Sequence, residues 1–185
     1  MLTKNLILPL AIITTATAAP SALVPELLQS AAVIHDTFWA GQNVCNPAQC
    51  RVYKSAADAG HDLTTMLTFS IPQNFAGSTC WLEFYLPSGA TTGGGQQVDV
   101  FRQWAPVSTC PSQGNNRDVQ LGRMVLPSGG GGVARWTDTY SSWMTSPGAC
   151  PGPGEVFGVE IVGVGDEINT VWTQGPGVGM RMMYT

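Results

Sequence analysis

Two glutamates, Glu83 and Glu160, come nearest by type and placement to a catalytic pair. Each sits opposite in parity to the apolar face of a short alternating β pattern. Two carboxylates on neighbouring strands can act as acid and nucleophile in glycoside hydrolysis when they lie about 5–10 Å apart. Asp99 and Asp166 add two further acids. The competing reading leaves these acids facing solvent or paired across strands with Arg102, Arg123 or Arg135. That reading is adopted here, and no catalytic residue is assigned.

Other chemistries find less support. A serine hydrolase of the nucleophile-elbow kind would carry G-x-S-x-G, which the chain lacks. His35 and His61 both fall early in the chain, where a hydrogen-bonded surface histidine is the ordinary case. The glycine clusters at 93–95 and 129–132 are not followed by the Lys-Ser/Thr element of a phosphate-binding loop, so they read as hairpin connections. Asp166 and Glu167 could offer oxygens to calcium, but not at a recognised loop spacing. No metal site and no cofactor are expected.

Tryptophan is the more unusual resource, with six residues in a chain of 185. An exposed indole can stack on the apolar face of a sugar ring while neighbouring polar groups bond its hydroxyls. Trp81 and Tyr85 project to one side of their strand, opposite Leu82, Phe84 and Leu86, and are the candidate ligand-binding residues. The alternative buries them in a sandwich core. Arg117, Asp118, Arg123 and Asp166 are read as structural, because a guanidinium fork can fix loop carbonyls or lock a carboxylate such as Asp118 or Asp166.

These side chains need a scaffold, and the chain's texture predicts one made of strands. Short alternating patterns at 67–71, 82–86, 98–104, 119–126, 133–137, 156–164, 168–173 and 178–184 are separated by Gly- and Pro-rich turns. About eight short antiparallel strands without a long helix predict an all-β sandwich. Residues 61–185 form that domain, and residues 19–60 are read as an N-terminal arm and an irregular, disulfide-bearing cap.

Residues 1–18 have the order of a signal peptide: Lys4, an apolar stretch over 6–13, then small residues with Ala16 and Ala18 placed for cleavage after Ala18. The apolar stretch is too short to span a bilayer, and no other long apolar run follows. A secreted, extracellular protein is therefore expected. Its net charge of −4 and scattered basic residues exclude the clustered cations that nucleic acid or an anionic membrane would require. In an oxidising compartment the five cysteines, Cys45, Cys50, Cys80, Cys110 and Cys150, are expected to form bridges with one left over. Cys45 and Cys50 are close enough to close a tight loop.

Several segments carry a resemblance to a known family. They are Thr68-Phe69-Ser70-Ile71-Pro72, Cys80-Trp81-Leu82-Glu83-Phe84-Tyr85-Leu86-Pro87, Asp99-Val100-Phe101 and Gly114-Asn115-Asn116-Arg117-Asp118. They continue with Leu121-Gly122-Arg123, Ala134-Arg135-Trp136, Cys150-Pro151 and Gly163-Val164-Gly165-Asp166. In this order they resemble the fungal secreted family of ubiquitin-three-binding-protein C-terminal domains. The resemblance implies a β-sandwich-like secreted domain and a bridge between Cys80 and Cys150. It supplies no catalytic residues. Cys45, Cys50 and Cys110 lie outside the matching pattern; Cys45 to Cys50 is taken as the second bridge and Cys110 as unpaired.

The expected function is a non-enzymatic binding or interaction domain, at a cell wall or as a host-facing effector, with an extracellular glycan or protein as ligand. The alternatives are a secreted carbohydrate-active hydrolase or accessory enzyme, and a structural cell-surface protein.

Overall fold

A computed structural model describes residues 27–28, 31–36, 43–45, 49–58, 60–104, 106 and 117–185. The expected signal peptide at 1–18 and Cys110 lie outside these residues. The chain is all-β, and no α-helix occurs among the described residues. The strands are β1 (Leu27–Leu28), β2 (Ala31–Asp36), β3 (Asn43–Cys45), β4 (Cys50–Ser55), β5 (Leu63–Ser70), β6 (Thr79–Leu86), β7 (Thr91–Gly94) and β8 (Gln97–Gln103). They continue with β9 (Arg117–Val125), β10 (Gly132–Val133), β11 (Arg135–Thr139), β12 (Gly148–Ala149), β13 (Val156–Gly163), β14 (Glu167–Trp172) and β15 (Gly179–Tyr184). All eight expected strand segments contain strands.

The strands form two antiparallel sheets in a sandwich-like arrangement. The smaller runs β1-β15-β6-β10, with β12 also paired to β6; the larger runs β11-β9-β8-β13-β5-β4-β14-β7, with β2 on β5 and β3 on β2. Strand parity explains the core. In β6 the side chains of Cys80, Leu82, Phe84 and Leu86 are buried while Trp81, Glu83 and Tyr85 alternate outward. Facing them are Leu67 and Phe69 of β5, Val98 and Val100 of β8, and Phe157, Val159 and Ile161 of β13, while Met180 and Met182 of the neighbouring β15 extend their row, all in one cluster. Phe69 stacks on Phe157 with centroids 5.1 Å apart, and Trp172 of β14 meets Phe84 edge-on at 5.0 Å. Such pairs add specific geometry to the burial of large apolar surfaces.

β5 is the branch point of the larger sheet. β13 pairs along one edge from Thr65 to Ser70, and β2 along the other from Leu63 to Thr68. β4 therefore meets β5 by the ladder only at Tyr53 and Leu63. The buried Thr65 hydroxyl makes the next link, donating to the Arg51 carbonyl at 2.7 Å and accepting from the Arg51 N–H at 3.2 Å. A side chain thus satisfies backbone groups that the diverging ladder would strand.

Three expectations are corrected. The irregular cap expected within residues 19–60 is corrected where the chain is described: β2, β3 and β4 are ordered into the larger sheet. β2 begins with four apolar residues in a row, and the alternation in β4 runs only from Cys50 to Tyr53. The glycine stretch at 93–95 is not only a turn, because β7 pairs with β14; a ladder needs backbone groups and no side chains. Gly130 does mark an obligate turn, at φ +75° and against the Pro87 carbonyl, where a Cβ would collide.

The third correction concerns cysteine. Cys80 and Cys150 are bridged, 70 residues apart in sequence. Cys50, however, is a free thiol with 0 % exposure, so the expected Cys45 to Cys50 bridge is not formed. The reason is parity: Cys50 shares the inward face of β4 with Val52. Burial pushes its pKa up to about 12, against a smaller lowering by a hydrogen bond from the Gln174 backbone. The thiolate that would react or oxidise is thereby suppressed.

Two outcomes follow. Replacing Cys80 and Cys150 together by serine is expected to cost about 2–4 kcal/mol, read as a lower urea midpoint; a midpoint equal to the parent's would refute a stabilising role. Iodoacetamide at neutral pH, followed by peptide mapping, is expected to label Cys50 only when denaturant is present. Labelling of the native protein at that position would show that the thiol is not buried.

Candidate functional site

The outer face of the smaller sheet follows directly from the core. With Leu82, Phe84 and Leu86 inward, β6 presents Trp81, Glu83 and Tyr85, and β15 places Met183, Arg181 and Gly179 directly opposite them. Trp81 and Tyr85 are each half-buried, so neither belongs to the core. Four residues of strand separate them by about 13 Å. Between them Arg181 Nη2 bonds Glu83 Oε1, and Nη1 donates to the Gly177 carbonyl at 2.9 Å. The same guanidinium lies 5.2 Å from the centre of the Tyr85 ring. The result is an aromatic, ionic and aromatic strip whose charges are fixed in place.

Glu160 has a different environment. It lies on β13, cross-strand from Met66 of β5 and Phe101 of β8, on the face opposite Val159 and Ile161. It is 0 % exposed, and its Oε1 accepts from Arg117 Nη2 at 2.8 Å. That guanidinium also sits 5.5 Å from the Phe101 ring centre. Nearby, Gln103 is buried over Gly158, where a Cβ would collide with the Gln103 amide oxygen. Among the described residues, Glu160 Oε2 and both polar atoms of the Gln103 amide have no hydrogen-bond partner. This is a buried ionic seam.

Glu83 and Glu160 therefore do not converge. Each is directed away from the shared core, on a different sheet, and each is held by its own arginine. Packed sheets stand about 10 Å apart, and outward side chains lengthen that separation. One glycosidic bond cannot lie between them, so the catalytic pairing considered from sequence is corrected. Neither partner was among the arginines anticipated, because Arg181 and Arg117 are matched to these acids only by sheet register.

The structural group divides in the same way. Arg123 forks onto Asp99 across β8 and β9, with Nε at 2.7 Å and Nη2 at 3.0 Å. The Asp99 hydrogen bond raises the Arg123 pKa further and keeps the guanidinium charged. Arg117 fixes Glu160 rather than Asp118. Asp118 and Asp166 are exposed and in none of the ion pairs among the described residues, so the loop-locking role expected of them is not observed. No group of three His, Cys, Asp or Glu among the described residues is placed to hold a metal.

A polar cleft of about 420 Å³ went unanticipated. It is lined by Arg51, Tyr53, Asp58, His61 and Leu63. The Arg51 guanidinium lies 4.3 Å from the Tyr53 ring centre, and its Nε donates to Asn169 Oδ1 at 3.0 Å. The signal was present in the sequence as the alternation of Cys50 and Val52 with Arg51 and Tyr53. His35 has no described side chain. A separate hollow, about 470 Å³ and mainly apolar, lies between the turns that hold Pro87 and Pro176.

No protein-family model and no curated protein matches the chain. Function must then be argued from these surfaces.

The two ion pairs are expected to differ in worth. Breaking a buried pair leaves an uncompensated charge, so Glu160→Ala should cost about 3 kcal/mol. Arg123→Ala, in a more accessible pair, should cost about 1 kcal/mol or less. Chemical denaturation of the two variants checks this; equal losses would show that Glu160 is not buried as described.

Proposed function

We propose that the protein is a secreted, non-enzymatic binding domain that recognises an extracellular glycan through the outer face of β6 and β15. One observation carries the reading: Trp81 and Tyr85 stand half-exposed on a single face, with the Glu83–Arg181 pair locked between them. An indole and a phenol at that spacing offer two apolar surfaces for sugar rings, and the ion pair offers acceptors and donors for hydroxyls. A rigid platform of this kind loses little freedom on binding.

The extracellular setting is supported by the order of residues 1–18 and by the Cys80–Cys150 bridge, which persists in oxidising compartments. No helix among the described residues is long and apolar enough to cross a membrane. The resemblance to a fungal secreted family extends the proposal to a cell wall or a host-facing space. The separation of Glu83 from Glu160 favours binding over hydrolysis by that pair.

Retention on insoluble wall polysaccharide tests the platform. The parent should be retained, and Trp81→Ala should weaken retention about tenfold, the equivalent of roughly 1.4 kcal/mol of lost stacking. Because Trp81 lies outside the core cluster, the variant should keep its unfolding midpoint within about 1 kcal/mol of the parent. Passage of folded parent protein through every polysaccharide unretained would end this reading.

A further inference from the structure

The arginine of the polar cleft is held but not neutralised. Arg117, Arg123 and Arg181 each bond a carboxylate. Arg51 instead lies over the Tyr53 ring and is tethered through Nε to the Asn169 amide oxygen, and among the described residues its terminal nitrogens bond no acceptor. The Tyr53 ring and the Asn169 bond together restrict the guanidinium. What remains is the Nη1 and Nη2 edge, a two-pronged donor matched to a carboxylate. A guanidinium immobilised in advance loses less freedom when it binds.

The cleft continues into a second hollow of about 280 Å³ that shares Tyr53 and is also lined by Asn169, Lys54 and Ser55. Gly93 of β7 contributes no side chain there, and a Cβ at that position would approach nothing closer than 3.9 Å. A ligand anchored on Arg51 thus meets an open floor with donors and acceptors around it, which suits hydroxyls better than an apolar side chain. Asp58 lines the same cleft and Glu167 the adjoining hollow, and their charges oppose a multiply charged anion such as a phosphate ester more strongly than a single carboxylate.

We propose that this cleft is a second ligand site, which binds the carboxylate of an acidic sugar on the Arg51 fork and its ring over Tyr53, Asn169 and Gly93. It shares no residue with the Trp81 and Tyr85 platform, so it stands or falls separately from the function proposed above.

The test is titration of the full chain with a galacturonic acid disaccharide, followed by calorimetry and by backbone amide shifts. The neutral galactose disaccharide and N-acetylglutamate serve as comparison ligands. The acidic disaccharide should shift amides of β4 and β14, and the neutral one should bind at least tenfold more weakly. Arg51→Gln should lose about tenfold or more in affinity, and Arg51→Lys, with charge but no fork, should fall between it and the parent. Both should fold, because Thr65 bonds the Arg51 backbone and not its side chain. Arg135→Gln, an exposed arginine on β11 at the other end of the larger sheet, should bind the acidic disaccharide like the parent. No shift in the parent up to about 10 mM ligand, a range covering even very weak sites, would overturn the proposal. So would parent-like affinity in folded Arg51→Gln, or equal affinity for N-acetylglutamate, which would mark a general carboxylate site.

Discussion

The inward row of β6 is the constraint on which the rest of the molecule depends. Cys80, Leu82, Phe84 and Leu86 are almost completely excluded from solvent, and a strand has a period of two. A slip of one residue would bring Trp81, Glu83 and Tyr85 into the core and expel four apolar groups. The Cys80–Cys150 bridge lies in that same row and holds the start of β6 to a residue 70 positions later. β15 inherits the register: Met180 and Met182 turn inward, so Arg181 must turn outward, where it meets Glu83. The platform is thus a by-product of core packing. Its two aromatic residues are placed by the inward residues of β6 and β15.

The larger sheet obeys a second constraint, because its central strands are covered on both faces. β13 buries Phe157, Val159 and Ile161 on the core side and Glu160 on the other. A carboxylate in that position requires a cation, and Arg117 supplies it from β9, two strands away. Farther along the sheet the ladder divides at β5. Since β2 occupies the edge that β4 would otherwise take, β4 departs after one paired position, with Thr65 bridging the gap. The outward residues Arg51 and Tyr53 then stand with Asp58, His61 and Leu63 around one hollow. The Arg51 cleft is a consequence of that division.

What was legible in the sequence was local. Alternation of Leu82, Phe84 and Leu86 with Trp81, Glu83 and Tyr85 is complete within one strand, and the face of each residue could be read before any partner strand was known. The same reading gave Glu160 its correct parity and missed its burial, because cover on the second face comes from chain distant in sequence. Cys45 and Cys50 suggested a loop by proximity, yet Cys50 belongs to the inward parity of β4 and Val52. That parity is two residues deep and easily overlooked beside Pro47 and Asn46. Arg51 escaped notice for a related reason: its importance lies in contacts with Tyr53 and Asn169, and the second is 118 residues away.

These placements bear on the choice between catalysis and binding. A two-carboxylate mechanism needs both groups on one substrate, and hence side chains that converge from neighbouring strands into a concavity. The outer faces of a sandwich diverge, because each sheet turns its polar residues away from the common core. Glu83 and Glu160 occupy such diverging faces, and each is already paired with an arginine. Recruiting either as a general acid would mean breaking an ion pair, and for Glu160 doing so in a fully buried site. Recognition makes no such demand. A single face with fixed aromatic rings and fixed charges can bind a ligand without any group on the opposite sheet, and the outward parity of β6 and β15 supplies that face.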